Sequence, residues 1–154
     1  MEIILLIVTL IIIIAPFSLF FHELGHLVGA KLRSATKILL TIGVGKVVKV
    51  ITIQNIDIHI RRFFIVNSFT STVREQPYTN KEKVFITIMG PLFSCIIACV
   101  FYVLYYGFSS NPYFFVTFLF NAWLVCINLI PFKIDRKQSD GYIIMQILFE
   151  RFSR

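Results

Sequence analysis

The chain has 154 residues, of which 57% are hydrophobic and 15% charged, and its formal net charge is +7. An ordinary soluble domain is roughly half apolar, so this composition argues against a water-soluble fold and favours a membrane protein. The length allows one domain and little more, and we expect residues 1–154 to form a single integral-membrane domain.

Three long apolar stretches, residues 3–21, 84–106 and 113–131, contain no charged residue. A helix needs about 20 residues to cross the hydrocarbon core of a bilayer. We therefore predict a mainly α-helical membrane protein with about three transmembrane helices, over about residues 3–30, 82–106 and 113–131. The three cysteines lie inside these stretches, and we expect them to be small packing residues. They are Cys95, Cys99 and Cys126.

The first stretch differs from a cleaved signal peptide. Such a peptide needs a basic segment, a short apolar core and a cleavage site of small residues. Here Glu2 precedes the stretch, with no Lys or Arg, and the stretch leads directly into His22. We expect an uncleaved span with a kink at Pro16, because proline removes a backbone donor from the helix.

The basic residues are distributed unevenly along the chain. Ten of the fifteen Lys and Arg lie in residues 31–83, the other five lie in residues 133–154, and residues 107–112 have none. Basic residues collect on the cytoplasmic side, so we expect the N-terminus outside and the C-terminus in the cytoplasm. Contact with anionic headgroups then accounts for the charge without a nucleic-acid partner.

Residues 39–69 change character and predict β-structure. Apolar and polar residues alternate over residues 46–60, and the alternation slips by one residue at Gln54-Asn55. This slip is typical of the tight turn of a β-hairpin, and Gly43 and Gly45 would allow a turn before it. The sheet is either a structural cap on the membrane face or an edge that pairs with an extended substrate.

Local signals mark the later helix ends. Thr79-Asn80-Lys81-Glu82 has the form of a capping box, which places the second helix start near Asn80. Pro131 should end the third helix. Residues 142–152 are apolar with sparse charges and predict a short C-terminal helix against the membrane or the bundle.

The motif His22-Glu23-Leu24-Gly25-His26 follows directly on the first apolar stretch. On a helix, two histidines four residues apart project from one face and can bind one Zn²⁺. Glu23 can then act as general base toward a zinc-bound water. Ionisable residues beside a membrane span are costly and are usually functional, so this motif predicts a metal site.

A catalytic zinc usually takes a third protein ligand. The acidic candidates outside the motif are Asp57, Glu75, Glu82, Asp135, Asp140 and Glu150. Asp140 stands out because Gly141 follows it and because Asn128-Leu129-Ile130-Pro131 precedes it at the end of the third span. Pro131 would free the chain to fold back toward the histidines.

These motifs together resemble the site-2 protease family: the His-Glu-Leu-Gly-His sequence, Gly90-Pro91 in the middle span, Asn128-x-x-Pro131, then Asp140-Gly141. The resemblance implies a three-helix membrane core that cleaves membrane-spanning proteins or peptides. It implies His22, His26 and Asp140 as zinc ligands and Glu23 as the catalytic base. Asn128 would bind the substrate strand or stabilise the developing oxyanion.

The chain departs from the family pattern in three ways. Residues 132–139 intervene between the proline and the Asp-Gly pair, which makes Asp135 a competing ligand. We favour Asp140, because the following glycine permits a tight turn. Ser94 stands where the family often has asparagine, and we assign it no role. No segment resembles a PDZ or CBS module, so we expect a minimal core.

Two further classes of function compete with an intramembrane zinc endopeptidase. One is a non-catalytic metal-binding scaffold, or pseudoprotease, that binds partner helices; the complete set of candidate ligands and base argues against it. The other is a metal transporter, which would need polar residues along a path through several spans, and these spans have few.

Overall fold

The structure is a computed structural model that describes residues 1–135 and 137–152. Its helical elements in chain order are α1 (Glu2–Thr9), a π-helical turn (Leu10–Ile14), α2 (Ala15–Leu32), α3 (Asn80–Gly107), α4 (Pro112–Leu129) and α5 (Asp140–Phe152). Its strands are β1 (Lys37–Ile53), β2 (Ile56–Val73), β3 (Lys133–Ile134) and β4 (Lys137–Gln138). The predicted combination of long helices, an intervening hairpin and a C-terminal helix is confirmed.

Three helical segments of the described chain are long and apolar enough to cross a membrane: Glu2–Leu32, Asn80–Gly107 and Pro112–Leu129. Large apolar side chains on all three are exposed, among them Ile4 and Trp123. A surface of this kind suits contact with lipid better than contact with water. The predicted spans agree with these helices to within a few residues.

The first span is irregular where a kink was predicted. Residues Leu10–Ile14 wind as a π-helical turn just before Pro16, and α2 continues from Ala15. Proline lacks a donor for the carbonyl four residues earlier and its ring crowds that carbonyl. A locally wider turn accommodates both effects.

Strands β1 and β2 form an antiparallel hairpin that turns at Gln54-Asn55, as the phase slip predicts. The pairing is more elaborate than a simple ribbon. Residues 38–42 pair with residues 68–72 on one side and with residues 56–60 on the other, and residues 49–53 pair with residues 56–60 from the far side. The sheet therefore has four rows, with residues 68–72 forming one outer row.

Two glycines allow this path. Gly43 and Gly45 have φ of 89° and 92°, a conformation that side chains other than glycine rarely adopt. They lie where the register shifts, and by Lys49 the chain has crossed to the other side of the row at residues 56–60. The chain therefore changes direction at these glycines, as predicted, although β1 extends without interruption from Lys37 to Ile53.

The sheet packs against α2 through a small apolar core. Its buried members are Leu27, Ala30, Ala35, Ile38 and Leu40. Phe20, which is nearer the N-terminus of α2, also packs on this core. The sheet therefore extends alongside the helix as far as the turn that contains His22. This docking brings β2 next to the histidine motif.

The ends of the later helices are set by the predicted signals. Thr79 and Glu82 form a complete capping box at the start of α3. Ile130 is extended (ψ 124°) in front of Pro131, because a residue before proline avoids the helical region. The inserted residues then form the two-residue strands β3 and β4, and α5 begins at Asp140, two residues earlier than predicted.

Candidate metal centre

Three side chains from two helices meet beside the sheet. His22 and His26 project from one face of α2, with their Nε2 atoms 3.3 Å apart. Asp140, at the start of α5, has Oδ2 3.2 Å from His22 Nε2 and Oδ1 3.4 Å from His26 Nε2. His22 and Asp140 are buried, and His26 is half-buried.

The other nitrogen of each imidazole is held by α3. His26 Nδ1 lies 3.0 Å from the carbonyl oxygen of Ile86, which can only accept, so Nδ1 carries the proton and Nε2 has the free lone pair. His22 Nδ1 lies 3.0 Å from the Ser94 hydroxyl, and both residues are buried. Ser94, to which the sequence analysis assigns no role, thus fixes the orientation of a site histidine.

The donor set fits a divalent metal such as zinc. With Nδ1 of each ring hydrogen-bonded, both Nε2 atoms and the Asp140 carboxylate present lone pairs to the same small space. Asp140 Oδ2 is buried and has no hydrogen-bond partner among the described residues. A buried carboxylate facing two acceptors is unfavourable unless a cation lies between them. Ligand atoms of His22, Glu23 and His26 also lie within 4.8 Å of one another.

Glu23 lies beside the histidines and is held from the sheet. Thr70 Oγ1 on β2 is 2.8 Å from Glu23 Oε2 and 3.1 Å from the backbone oxygen of Glu23. Thr70 could not be predicted from the sequence, because no local pattern shows which strand residue will face α2.

The two competing aspartates lie in different environments. Asp135 is exposed in the turn between β3 and β4, with φ of 51°. Asp140 is held at the cleft by Ser139, whose hydroxyl donates to the Ile130 carbonyl at 2.7 Å and accepts from the Phe132 and Tyr142 amides at 3.0 and 3.1 Å. The inserted hairpin therefore loops out and returns the chain to the end of α4.

The prediction that Gly141 permits a tight turn beside Asp140 is wrong. Its backbone is ordinary helix rather than a tight turn that needs a positive φ. A Cβ at this position would collide with the carbonyl of Leu129, so the glycine is required by the close approach of α5 to the end of α4.

Gly90 has a similar steric role on the other side of the site. A Cβ there would collide with the His26 ring and would lie 3.0 Å from His22 Nε2. Gly90 therefore permits the close approach of α3 to α2, and the group that it packs against is the histidine pair itself.

A cavity of about 710 Å³ opens over these groups. Its lining comes from α2, β2, α4, β4 and α5: Leu19, His22, Glu23, His26, Ser68, Phe69, Asn128, Lys137, Gln138 and Asp140. Asn128 thus faces the same space as Glu23, and its Nδ2 donates one hydrogen bond to the Leu124 carbonyl at 2.9 Å. The outer row of the sheet contributes Ser68 and Phe69.

The sequence matches peptidase family M50 over residues 8–111, about two thirds of the chain. The matched region contains His22, Glu23, His26, Gly90 and Ser94 and ends before Asn128 and Asp140. None of the curated proteins compared with the sequence matches it. With three apolar helices long enough to cross a membrane, this match shows that the chain belongs to peptidase family M50, the site-2 protease family of metallopeptidases.

Proposed function

We propose that this protein is an intramembrane zinc metalloendopeptidase that hydrolyses peptide bonds within or near transmembrane segments of proteins or peptides. The observation that supports it most is the meeting of two imidazole Nε2 atoms and a buried carboxylate, with both Nδ1 atoms already engaged. In this proposal residues 1–154 act as one membrane domain, with the N-terminus outside and the site toward the cytoplasmic side.

Each residue has a distinct role in the proposed reaction. His22, His26 and Asp140 would hold Zn²⁺, and the ion would polarise the scissile carbonyl and lower the pKa of the attacking water. Glu23 accepts the proton of the attacking water and passes it to the leaving amide nitrogen. Asn128 has a second amide hydrogen beyond the one given to Leu124, and this hydrogen can serve the substrate strand or the developing oxyanion.

The substrate must reach the site in an extended form, because an intact helix hides its carbonyls in internal hydrogen bonds. Unwound backbone groups in a water-poor cleft need new partners. The outer row at residues 68–72 pairs with β1 on one side, and no other described strand pairs with its other edge. Ser68 and Phe69 of that row line the cavity, which favours the substrate-pairing interpretation of the sheet over a purely structural one.

Metal analysis of purified variants tests the proposal. His22→Ala and Asp140→Asn should lose zinc affinity, whereas Glu23→Gln should keep zinc and lose turnover of a transmembrane substrate. Asp135→Asn serves as the matched control and should keep both. Unchanged zinc in Asp140→Asn, with loss in Asp135→Asn, would overturn the assigned ligand.

The same set separates the enzyme from a non-catalytic scaffold. A Glu23→Gln protein that retains zinc and shows no difference in activity from the parent would favour the scaffold. Product sequencing adds a check on the substrate: cleavage should fall near polar or helix-breaking residues, and efficient cleavage inside uninterrupted poly-Leu helices would contradict the need for unwinding.

A further inference from the structure

The side chain of Thr70 connects the sheet to the residue proposed as the catalytic base. Its hydroxyl donates to Glu23 Oε2 at 2.8 Å and lies 3.1 Å from the backbone oxygen of the same residue. Thr70 and Glu23 are both half-buried, so water competes only partly for this contact. Since both oxygens are acceptors and the hydroxyl has one hydrogen, the shorter contact to Oε2 is the main hydrogen bond, and it ties the carboxylate of Glu23 to β2.

Helix α2 alone does not fix the Glu23 carboxylate. Successive residues on a helix point about 100° apart, so Glu23 leaves the helix to one side of the face that carries His22 and His26. Its long side chain has several rotamers available. A partner outside α2 is needed to hold the carboxylate beside the imidazoles, and Thr70 is that partner.

We propose that Thr70 is a positioning residue that holds Glu23 in its reactive orientation and couples it to the strand edge lining the cleft. The inference rests on the proposed function. Because Oε2 already accepts a hydrogen bond from Thr70, Oε1 keeps both of its lone pairs free of that contact and is the better acceptor for the proton of the attacking water.

The position of Thr70 in the sheet connects Glu23 to the strand edge that lines the cavity. Thr70 pairs with Leu40, which is only 1% exposed and belongs to the core between the sheet and α2. Two residues before it, Ser68 lines the cavity in the same outer row. A substrate segment paired along this row therefore lies on the strand that also places the base.

The test compares four single variants and the double variant Thr70→Val/Glu23→Gln on one transmembrane substrate peptide in detergent, with kcat, KM and zinc per chain measured for each. Thr70→Val keeps the shape and the β-branched carbon but loses the hydroxyl, and Thr70→Ser restores it. Thr41→Val makes the same exchange on the neighbouring strand β1, at a buried hydroxyl that has no hydrogen-bond partner among the described residues. Glu23→Gln reports on the proposed function itself.

We expect Thr70→Val to keep its zinc and its KM within about twofold, with kcat lower by roughly ten- to a hundredfold, a part of the usual contribution of a positioned base. Thr70→Ser should recover most of kcat, and Thr41→Val should match the parent. Because Thr70 acts through Glu23, adding Thr70→Val to Glu23→Gln should cause little further loss.

A parent-like kcat in Thr70→Val, or a Thr70→Ser variant no better than Thr70→Val, would refute the positioning role. These results are distinct from failure of the proposed function, which would appear as full activity of Glu23→Gln. If valine reduces the zinc content, Thr70→Ala gives the same comparison with a smaller side chain, and loss of kcat without loss of zinc is then required of it.

Discussion

Removing the Ser94 hydroxyl should weaken zinc binding, although this hydroxyl contacts His22 and is not a proposed zinc ligand. For His22 to offer Nε2 to zinc, its Nδ1 must carry the proton, so Ser94 must accept from it at 3.0 Å. Ser94 is fully buried and His22 is 4% exposed, so in Ser94→Ala the imidazole N–H has no water to replace the lost partner. An unsatisfied buried donor costs about 1–3 kcal/mol.

That cost predicts a zinc dissociation constant roughly five- to 150-fold larger, since about 1.4 kcal/mol corresponds to a factor of ten. The range agrees with the roughly 10- to 100-fold loss typical when the partner of a metal-binding histidine is removed. Competition with a chromophoric chelator in detergent measures it.

The control is Ser18→Ala, because Ser18 is equally buried in α2 but its hydroxyl accepts from Asn121 at 2.8 Å. A Ser94→Ala affinity within about twofold of the parent would refute the reasoning. So would an equal loss in Ser18→Ala, because the effect would then come from general loosening of the bundle.

Three further changes have defined outcomes. Gly90→Ala should lower zinc affinity by more than about a hundredfold, because its methyl group takes the space of the His26 ring. Arg74→Lys should lower the thermal midpoint by a few degrees, since one ammonium cannot replace a guanidinium that binds both carboxylate oxygens of Glu82. Hydrogen bonds from Lys37 and Thr52 lower the pKa of Asp57 below its usual value of 3.8. These two contacts therefore add their full stability to the sheet above pH 3.8, and that stability is lost as the pH falls through the lowered pKa.

Each of these changes has a matched comparison. Gly107→Ala introduces the same methyl group at a place on α3 where it would make only an ordinary contact, 4.0 Å from Val103 Cγ1, and should leave zinc binding unchanged. Arg33→Lys changes another arginine, one that lies over the Phe85 ring rather than pairing with a carboxylate, and should shift the midpoint less than Arg74→Lys. Asp57→Asn should abolish the acid-dependent step in hydrogen exchange of the β1–β2 amides, and an identical acid profile would contradict the assignment.

The helices and the hairpin could be predicted because their signals are local. Charge-free apolar runs mark the spans, the phase slip marks Gln54-Asn55, and the capping box marks Asn80. Each of these patterns acts within a few residues, where propensity and periodicity apply. The histidine pair was equally accessible, since its spacing is a property of one helix.

The partners of His22 and Glu23 come from residues far away along the chain. Ser94 meets His22 across 72 residues, and Thr70 meets Glu23 across 47. Neither contact has a periodic signature, because each follows from how α3 and the sheet dock on α2. The Gly141 error had the same origin: a local turn was inferred where the requirement is contact with the Leu129 carbonyl.

The buried polar contacts of the spans also explain why the site holds together in an apolar bundle. His22 and His26 are tied to α3 through Ser94 and Ile86, and Ser18 ties α2 to α4 through Asn121. Removing any one partner leaves a polar group unsatisfied where water is scarce, so each contact resists separation of α2 from its neighbours. Because α2 also packs against the sheet, the bonds that satisfy its polar groups fix the proposed metal ligands, the proposed base and the proposed substrate edge relative to one helix.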